Sequence, residues 1–244
     1  MSGLSEPDVL RLWEQGLSLH PVDRAQFFAL CATDQAQAED VCRWPLGRRD
    51  TQLMELRRQA YGERLPVVDT CPHCGEAAEF ELDLTALLHM SGDVPPPEFD
   101  VSMGDLQLRL RLPDTQDMAC AASCTDLARA RQVLLERCVL SAARAGVSLA
   151  PDGLDASEEI AIGAALAEAD PLADVRIAVN CPVCADEWLA LLDINAVFWQ
   201  ELQHEARQVL RDVHTLAGAY GWTESEVLAL SPTRRMAYLA QVAP

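Results

Sequence analysis

The feature of this sequence that most restricts its fold is a pair of cysteine motifs that lie far apart. The first motif, CPHC, runs from Cys71 to Cys74, and the second, CPVC, runs from Cys181 to Cys184. Two cysteines separated by two residues place two thiolates on one tight turn, and zinc in structural sites takes four such ligands in a tetrahedron. The two motifs therefore predict one four-cysteine zinc (Zn2+) site, to which each turn supplies two ligands.

The sequence around the two motifs repeats as well. At the offset of 110 positions that separates the motifs, LDLTALL (82–88) aligns with LDINAVF (192–198) without a gap. Apolar and polar residues alternate near each motif, a pattern that predicts β-strands. Thr85 and Asn195 are both good helix N-caps, so a helix is expected to follow. Each copy is thus predicted to be a strand, a cysteine turn, a strand and the start of a helix.

The residue that follows each motif bears on the conformation of the turn. Gly75 follows the first motif and can adopt the left-handed conformation that aims backbone amides at sulfur. Ala185 stands at the equivalent position of the second motif and departs from this pattern. We expect the same turn in both copies, with Ala185 as the less suitable residue.

Other interpretations of the cysteines are open at this stage. A CxxC pair also occurs in thioredoxin-like redox centres, or the two pairs could be unrelated and bind nothing. His73 or His89 could instead complete two separate metal sites. Cys120, Cys124 and Cys138 could suggest a further metal, although no fourth ligand is evident. The five cysteines outside the motifs are predicted to be small core residues: Cys31, Cys42, Cys120, Cys124 and Cys138.

Charge and hydropathy limit the partners of this chain. It carries 38 acidic and 19 basic residues, a net charge of −19, and such a surface repels phosphate, so we expect no nucleic-acid binding. No apolar run reaches 18 residues, so no membrane partner is expected. The segment MSGLSEPDVL lacks the features of a signal peptide. These observations predict a cytoplasmic protein with reduced thiols, whose acidic surface favours basic protein partners.

Periodicity predicts a mainly α fold with a small β zinc-ribbon element, an α+β class in which two pseudo-repeated strand–CPxC–strand–helix units join at one zinc. LQLRLRLP (106–113) alternates as a strand, and helices are expected over Asp126–Ala145, Ser157–Ala169 and, longest of all, Asn195–Ala219. The predicted segments are an N-terminal helical region (1–64), the first zinc-knuckle half (65–90), a linker, strand and helical insert (91–174, with the linker SGDVPPPEFD at 91–100), the second zinc-knuckle half (175–194) and the C-terminal helices (195–244).

Motifs typical of catalytic sites are missing from the sequence. It contains no G-x-S-x-G elbow, no H-E-x-x-H, no phosphate-binding loop and no G-x-G-x-x-G. The five histidines are scattered. A zinc ion held by four cysteines leaves no open position for a substrate. The sequence therefore predicts a protein that is not an enzyme and has no small-molecule substrate.

The last helical segment, SPTRRMAYLAQV, allows two interpretations. Arg234 and Arg235 stand beside Met236, Tyr238 and Leu239, and a short helix with an apolar face and a basic edge can bind in a groove of a partner. The same apolar residues could instead pack against the long helix.

Several phrases of the sequence carry a resemblance to a known family. PLGRRD, followed by an amphipathic helix and YG, is the most characteristic of them; the others are RLWEQGLSLHPVDRA (11–25), LDLTALL after a CPxC motif, and YGWTESEVLALSPTRRMAYL (220–239). Together these phrases resemble the T4-type bacteriophage base plate protein family, whose cellular relatives occur with contractile phage-tail-like injection systems. The similarity runs over nearly the whole chain.

The resemblance implies a non-enzymatic structural or assembly component of a contractile phage-tail-like baseplate, with a chaperone-like role. Its implied partners are other baseplate or hub proteins of such a particle. The alternative is a cytoplasmic zinc-ribbon adaptor that binds or loads cargo for the particle. The family carries no catalytic residues to transfer to this chain.

Overall fold

The computed structural model describes residues 3–33, 41–90 and 96–242. These residues form a mainly helical structure with small antiparallel sheets, so the predicted α+β class is confirmed. The helices are α1 (Glu6–Leu17), α2 (Pro21–Cys31), α3 (Leu46–Tyr61), α4 (Leu84–His89), α5 (Thr115–Ala122), α6 (Leu127–Cys138), α7 (Ala156–Ala169), α8 (Ile194–Tyr220), α9 (Glu224–Leu228) and α10 (Pro232–Val242). The strands are β1 (Arg64–Thr70), β2 (Ala77–Asp83), β3 (Glu98–Met103), β4 (Leu106–Arg111), β5 (Val139–Arg144), β6 (Val147–Leu149), β7 (Arg176–Asn180) and β8 (Glu187–Leu191).

The chain divides into two compact units. One unit comprises Met1–Leu19 and Ala196–Pro244, and the other comprises His20–Asn195. None of the helices in the described residues combines the length and apolar character that crossing a membrane requires.

The largest sheet of the second unit has four antiparallel strands in the order β3-β4-β5-β6. Leu106, Leu108 and Leu110 of β4 are buried on one face, as the alternation predicts, and they pack with Leu135 of α6 and Ile162 of α7. Residues 91–95 of the predicted linker lie outside the described residues, and its last three residues form the start of β3.

The helix predicted over Asp126–Ala145 is wrong in its last third. α6 ends at Cys138, and Val139–Arg144 forms β5, which pairs with β4. Leu127, the first residue of α6, is 89% exposed. The sequence CVLSAARA lacks a helix-breaking residue, so its strand conformation depends on the backbone partner that β4 provides.

A buried carboxylate ties the sheet to the neighbouring helices. Asp117 of α5 is fully buried and accepts two hydrogen bonds of 2.7 Å from Arg111 of β4. Arg137 of α6 donates to the same carboxylate. Burial acts to raise the pKa of Asp117, but the hydrogen bonds from Arg111, Asp114 and Arg137 hold this pKa below its ordinary value.

Two further sheets are β-hairpins, one formed by β1 and β2 and the other by β7 and β8. Val67 lies opposite Phe80 in the first hairpin, and Ile177 lies opposite Ala190 in the second. Both residues of the second pair are numbered 110 above their counterparts. The same offset separates the first residues of α4 and α8, which follow the hairpins.

The helix caps after the hairpins differ from the sequence prediction. Asp83, rather than Thr85, is the N-cap of α4, and its carboxylate accepts hydrogen bonds from the amides of Thr85 (2.8 Å) and Ala86 (3.1 Å). Ile194 begins α8, so Asn195 lies in the first turn and is not the cap. An aspartate also precedes α8, and a carboxylate suits this position because it accepts from free helix amides.

In the other unit, α1 packs against the start of the long helix α8. A Cβ atom at Gly16 would lie 2.6 Å from the ring of Trp199, so only glycine permits this close approach. The predicted stripe of α8 includes Phe198, Leu202 and Leu216, which are all completely buried.

The last helix of this unit is held by a buried arginine. Arg235 of α10 is 4% exposed, forms an ion pair with Glu6 of α1 and donates to the carbonyl of Val227 in α9. Arg235 therefore does not belong to an exposed basic edge. Its neighbour Met236 is 66% exposed.

Candidate metal centre

The two β-hairpins bring the four cysteines of the CPxC motifs together. The sulfur of Cys71 lies 3.7 Å from that of Cys184, and the sulfur of Cys74 lies 3.5 Å from that of Cys181. All four sulfur atoms lie within 4.8 Å of one another. Cys71 and Cys181 are buried, whereas Cys74 and Cys184 lie nearer the surface.

These separations fit the donor set of a tetrahedral metal ion. At the usual zinc–sulfur distance of about 2.3 Å, the edges of a sulfur tetrahedron measure about 3.8 Å. Two of the distances between the motifs, 3.5 and 3.7 Å, are close to this edge. The four cysteines could therefore hold one metal ion without a rearrangement of the hairpins.

The backbone of the two cysteine turns follows one pattern. The amides of Cys71 and Cys181 each donate a 2.8 Å hydrogen bond to the carbonyl five residues later. The amides of Gly75 and Ala185 donate back to the carbonyls of the first cysteines, at 2.9 and 3.1 Å. Both residues have positive φ angles, 76° for Gly75 and 60° for Ala185. Ala185 thus adopts a conformation that suits glycine, as expected from the sequence.

Electrostatics favour a thiolate within this group. The amide of Cys184 and then that of Val183 donate to the sulfur of Cys181, both at 3.4 Å, and lower the pKa of Cys181 to about 6. The amide of Asp186 acts to lower the pKa of Cys184, but burial and the three other sulfurs raise it to about 12. Four thiolates so close together repel one another, and a divalent cation would offset this repulsion.

Packing joins the hairpins beside the sulfurs. A small core contains Ala78 and Phe80 of the first hairpin together with Val179 and Ala190 of the second. The indole Nε1 of Trp188 donates a 2.9 Å hydrogen bond to the carboxylate of Asp69 across the two hairpins. Sequence reasoning missed this contact, because no local signal relates residues 119 positions apart.

Neither histidine that was considered as a ligand joins the cluster. His73 lies in the first turn and His89 at the end of α4, and both side chains are exposed. Among the described residues, the only group of three or more possible ligands close enough to hold an ion is the four cysteines.

The five other cysteines do not form a second cluster in the described residues. Cys138 is buried, and burial raises its pKa to about 12, so this thiol stays protonated. Cys42, Cys120 and Cys124 are half-buried. Cys31, the last residue of α2, is exposed, so its prediction as a core residue is wrong.

Four thiols held between two β-hairpins are typical of proteins with a structural metal site, because four sulfur ligands leave no open coordination position. The sequence model described as T4 bacteriophage base plate protein matches residues 26–199, which are 174 of the 244 residues and include both CPxC motifs. The chain belongs to the T4 bacteriophage base plate protein family, and the resemblance expected from the sequence is confirmed. Comparison with curated proteins and with solved structures gives no match.

Proposed function

We propose that Cys71, Cys74, Cys181 and Cys184 bind one zinc ion, which has a structural role. The observation that carries this proposal is the set of sulfur–sulfur distances, which are all within 4.8 Å and include 3.5 and 3.7 Å between the motifs. Thiolate ligands in a tetrahedron select zinc or iron over hard cations such as magnesium and calcium. When bound, zinc supplies positive charge that stabilises the four thiolates and cross-links the two turns.

The zinc ion joins two related units in this proposal, each a strand, a CPxC turn, a strand and a helix start. The shared offset of 110 positions supports the relationship, because it applies to the cysteines, to the strand partners and to the first residues of α4 and α8. The division into five segments stays a prediction.

The function that this arrangement supports best is a non-enzymatic structural or assembly component of a contractile phage-tail-like baseplate. Membership of the base plate family supports a structural role in the baseplate. A cross-link between segments more than 100 positions apart fixes the two hairpins to each other. Such a rigid element suits a protein that presents surfaces to other baseplate or hub proteins, in the cytoplasm and without nucleic acid, membrane or small-molecule substrate.

Metal analysis of the purified full chain tests the zinc site. One zinc per chain is expected, and Cys181→Ser should lose it. Cys120→Ser is the matched control, since Cys120 is a half-buried cysteine outside the cluster. A wild-type chain without zinc, with two zinc ions or with iron would contradict the proposal.

Particle composition tests the baseplate function. Contractile particles purified from a strain with a tagged chain should contain the chain in a fixed ratio to baseplate proteins, or should fail to assemble when the chain is deleted. If particles assemble normally without the chain and lack only their cargo, the adaptor is the correct function and the structural role is wrong.

A further inference from the structure

The PLGRRD motif lines a cavity that the zinc site does not use. This cavity has a volume of about 230 Å³ and lies within the unit His20–Asn195. Leu46, Arg49 and Asp50 come from the motif at the start of α3, and Asp193 and Asn195 come from the other end of the unit. The volume exceeds the roughly 150 Å³ that accepts a benzene-sized molecule and is below the roughly 300 Å³ of sites for drug-sized ligands. It therefore suits a single side chain or a ligand of similar size.

One of the residues that line the cavity carries a buried hydrogen-bond acceptor without a donor. Asn195 is only 7% exposed, and its Nδ2 donates a 3.1 Å hydrogen bond to the carbonyl of Pro21, which also lines the cavity. Its Oδ1 is buried without a hydrogen-bond partner. Buried polar atoms are nearly always paired, and an unpaired one costs roughly 1–3 kcal/mol. The occupant of this cavity should therefore supply an N–H or O–H group.

The charges around the cavity are mainly negative. Arg49 forms hydrogen bonds to one oxygen of Asp50, at 2.7 Å. Burial raises the pKa of Asp50 to about 6, and the carboxylates of Asp193 and Asp170 add to this effect while Arg49 opposes it. Two carboxylates, those of Asp50 and Asp193, thus line the cavity with one guanidinium, and Asp170 adds negative charge near Asp50.

The helix amides near the cavity do not reverse its preference for a positively charged occupant, because at two of the helix starts these amides already have acceptors. The amide of Gly47, at the start of α3, donates to Asp170 at 2.9 Å, and the amide of Val22, at the start of α2, donates to His20 at 3.4 Å. The group that lacks a partner is the acceptor Oδ1 of Asn195.

We propose that this cavity binds an alkylammonium group, with the apolar walls around its stem and the ammonium beside Asn195 and Asp50. Val22, Leu46 and Met118 supply apolar surface for the stem. A lysine side chain of a partner and a free primary amine share this chemistry. A metal ion fits less well, because these carboxylates do not form a group that could hold one. The proposal is independent of the zinc site and of the baseplate function.

Titration of the zinc-loaded full chain with n-butylammonium tests the proposal. The side-chain amide resonances of Asn195 and the backbone amide of Gly47 should shift in a saturable way, with a dissociation constant in roughly the millimolar range. n-Butanol and butyramide, which lack the charge, should bind at least about tenfold more weakly. An absence of saturable shifts with n-butylammonium, or equal binding of butyramide, would overturn the proposal.

Variants assign the binding to the cavity. Asn195→Leu removes the acceptor and should weaken the affinity about fivefold to tenfold, whereas Asn195→Asp should strengthen it by a similar factor. Asn180→Leu is the matched control, since Asn180 is an exposed asparagine at the end of β7, and it should have no effect. Zinc content and thermal midpoint show that each variant is folded. Unchanged affinity in Asn195→Leu would place the ligand elsewhere and refute the assignment.

Two further measurements complete the test. Affinity should fall as the pH decreases through about 6, because protonation of Asp50 removes a negative charge beside Arg49, Asp170 and Asp193. A constant affinity between pH 5 and pH 8 would exclude Asp50 from the site and contradict the proposal.

A blocked Gly-Gly-Lys-Gly-Gly peptide distinguishes the two sources of the ammonium group. Binding of the peptide indicates a partner lysine, and binding of n-butylammonium alone indicates a free amine.

Discussion

Replacement of Ala185 by glycine should stabilise the protein, although the change removes a methyl group. Ala185 has a φ angle of 60°, and the left-handed conformation costs an L-residue about 1–2 kcal/mol. Glycine avoids this cost but adds about 0.4–1 kcal/mol of conformational entropy to the unfolded chain. The difference leaves a net stabilisation of about 0.5–1 kcal/mol.

Gly75→Ala should have the opposite effect at the equivalent position of the first turn. Gly75 has a φ angle of 76°, and no atom lies within 4 Å of the Cβ that alanine would add. The cost therefore comes from the backbone alone and should be about 0.5–1 kcal/mol. Ala145→Gly is the control, because Ala145 also has a positive φ angle, 49°, but lies in the turn between β5 and β6.

Thermal unfolding in zinc-buffered solution measures these changes. For a chain of this size, 1 kcal/mol corresponds to about 2–4 °C, so shifts of roughly 1–4 °C are expected. Competition with a chelator should also show zinc affinity rising about twofold to fivefold in Ala185→Gly and staying constant in Ala145→Gly. A lower thermal midpoint for Ala185→Gly, or an unchanged midpoint for Gly75→Ala, would refute the reasoning.

Three further changes test other parts of the fold. Gly47→Ala should destabilise the protein by at least about 2 kcal/mol, because the added Cβ would lie 1.8 Å from the Asp170 carboxylate. Gly163→Ala should instead stabilise the protein by about 0.5–1 kcal/mol, because open space surrounds this position of α7. Denaturant titrations measure both changes. Arg235→Ala should lower the free energy of unfolding by about 2 kcal/mol, because the buried partners of Arg235 lose their hydrogen bonds. Replacement of the exposed Met236 by alanine should change this free energy by less than about 0.5 kcal/mol. Equal effects of the two variants would show that α10 is not anchored by Arg235. Chelation of zinc should change the fluorescence of Trp188 while circular dichroism retains most of the helical signal, and loss of both together would contradict a local role for the metal.

Local patterns in the sequence were sufficient to predict the features that repeat. The alternation of Leu106, Leu108 and Leu110 is visible within one short segment, and the 110-position offset follows from aligning the segments around the two CPxC motifs. The structure places the corresponding hairpins and strand where they were expected. The proximity of the four sulfurs could be predicted because two CxxC turns together supply the four ligands that one tetrahedral metal ion takes.

Features that depend on distant partners could not be predicted in this way. Val139–Arg144 becomes a strand because β4 offers it a backbone partner, although its own residues continue a helical pattern. Arg235 is buried because Glu6, 229 positions away, accepts from it. The cavity likewise combines Asp50 with Asn195, and no spacing rule relates two residues so far apart.

The separation of the two cysteine turns along the chain has a consequence during synthesis. Cys71 leaves the ribosome 110 residues before Cys181, which at about 5–20 residues per second is a delay of roughly 5–20 s. Throughout this interval the first turn carries two thiols without their structural counterparts. Newly made chains should therefore be more sensitive to thiol oxidants than finished ones, and a pulse of oxidant should damage Cys71 and Cys74 only in chains that are still being translated.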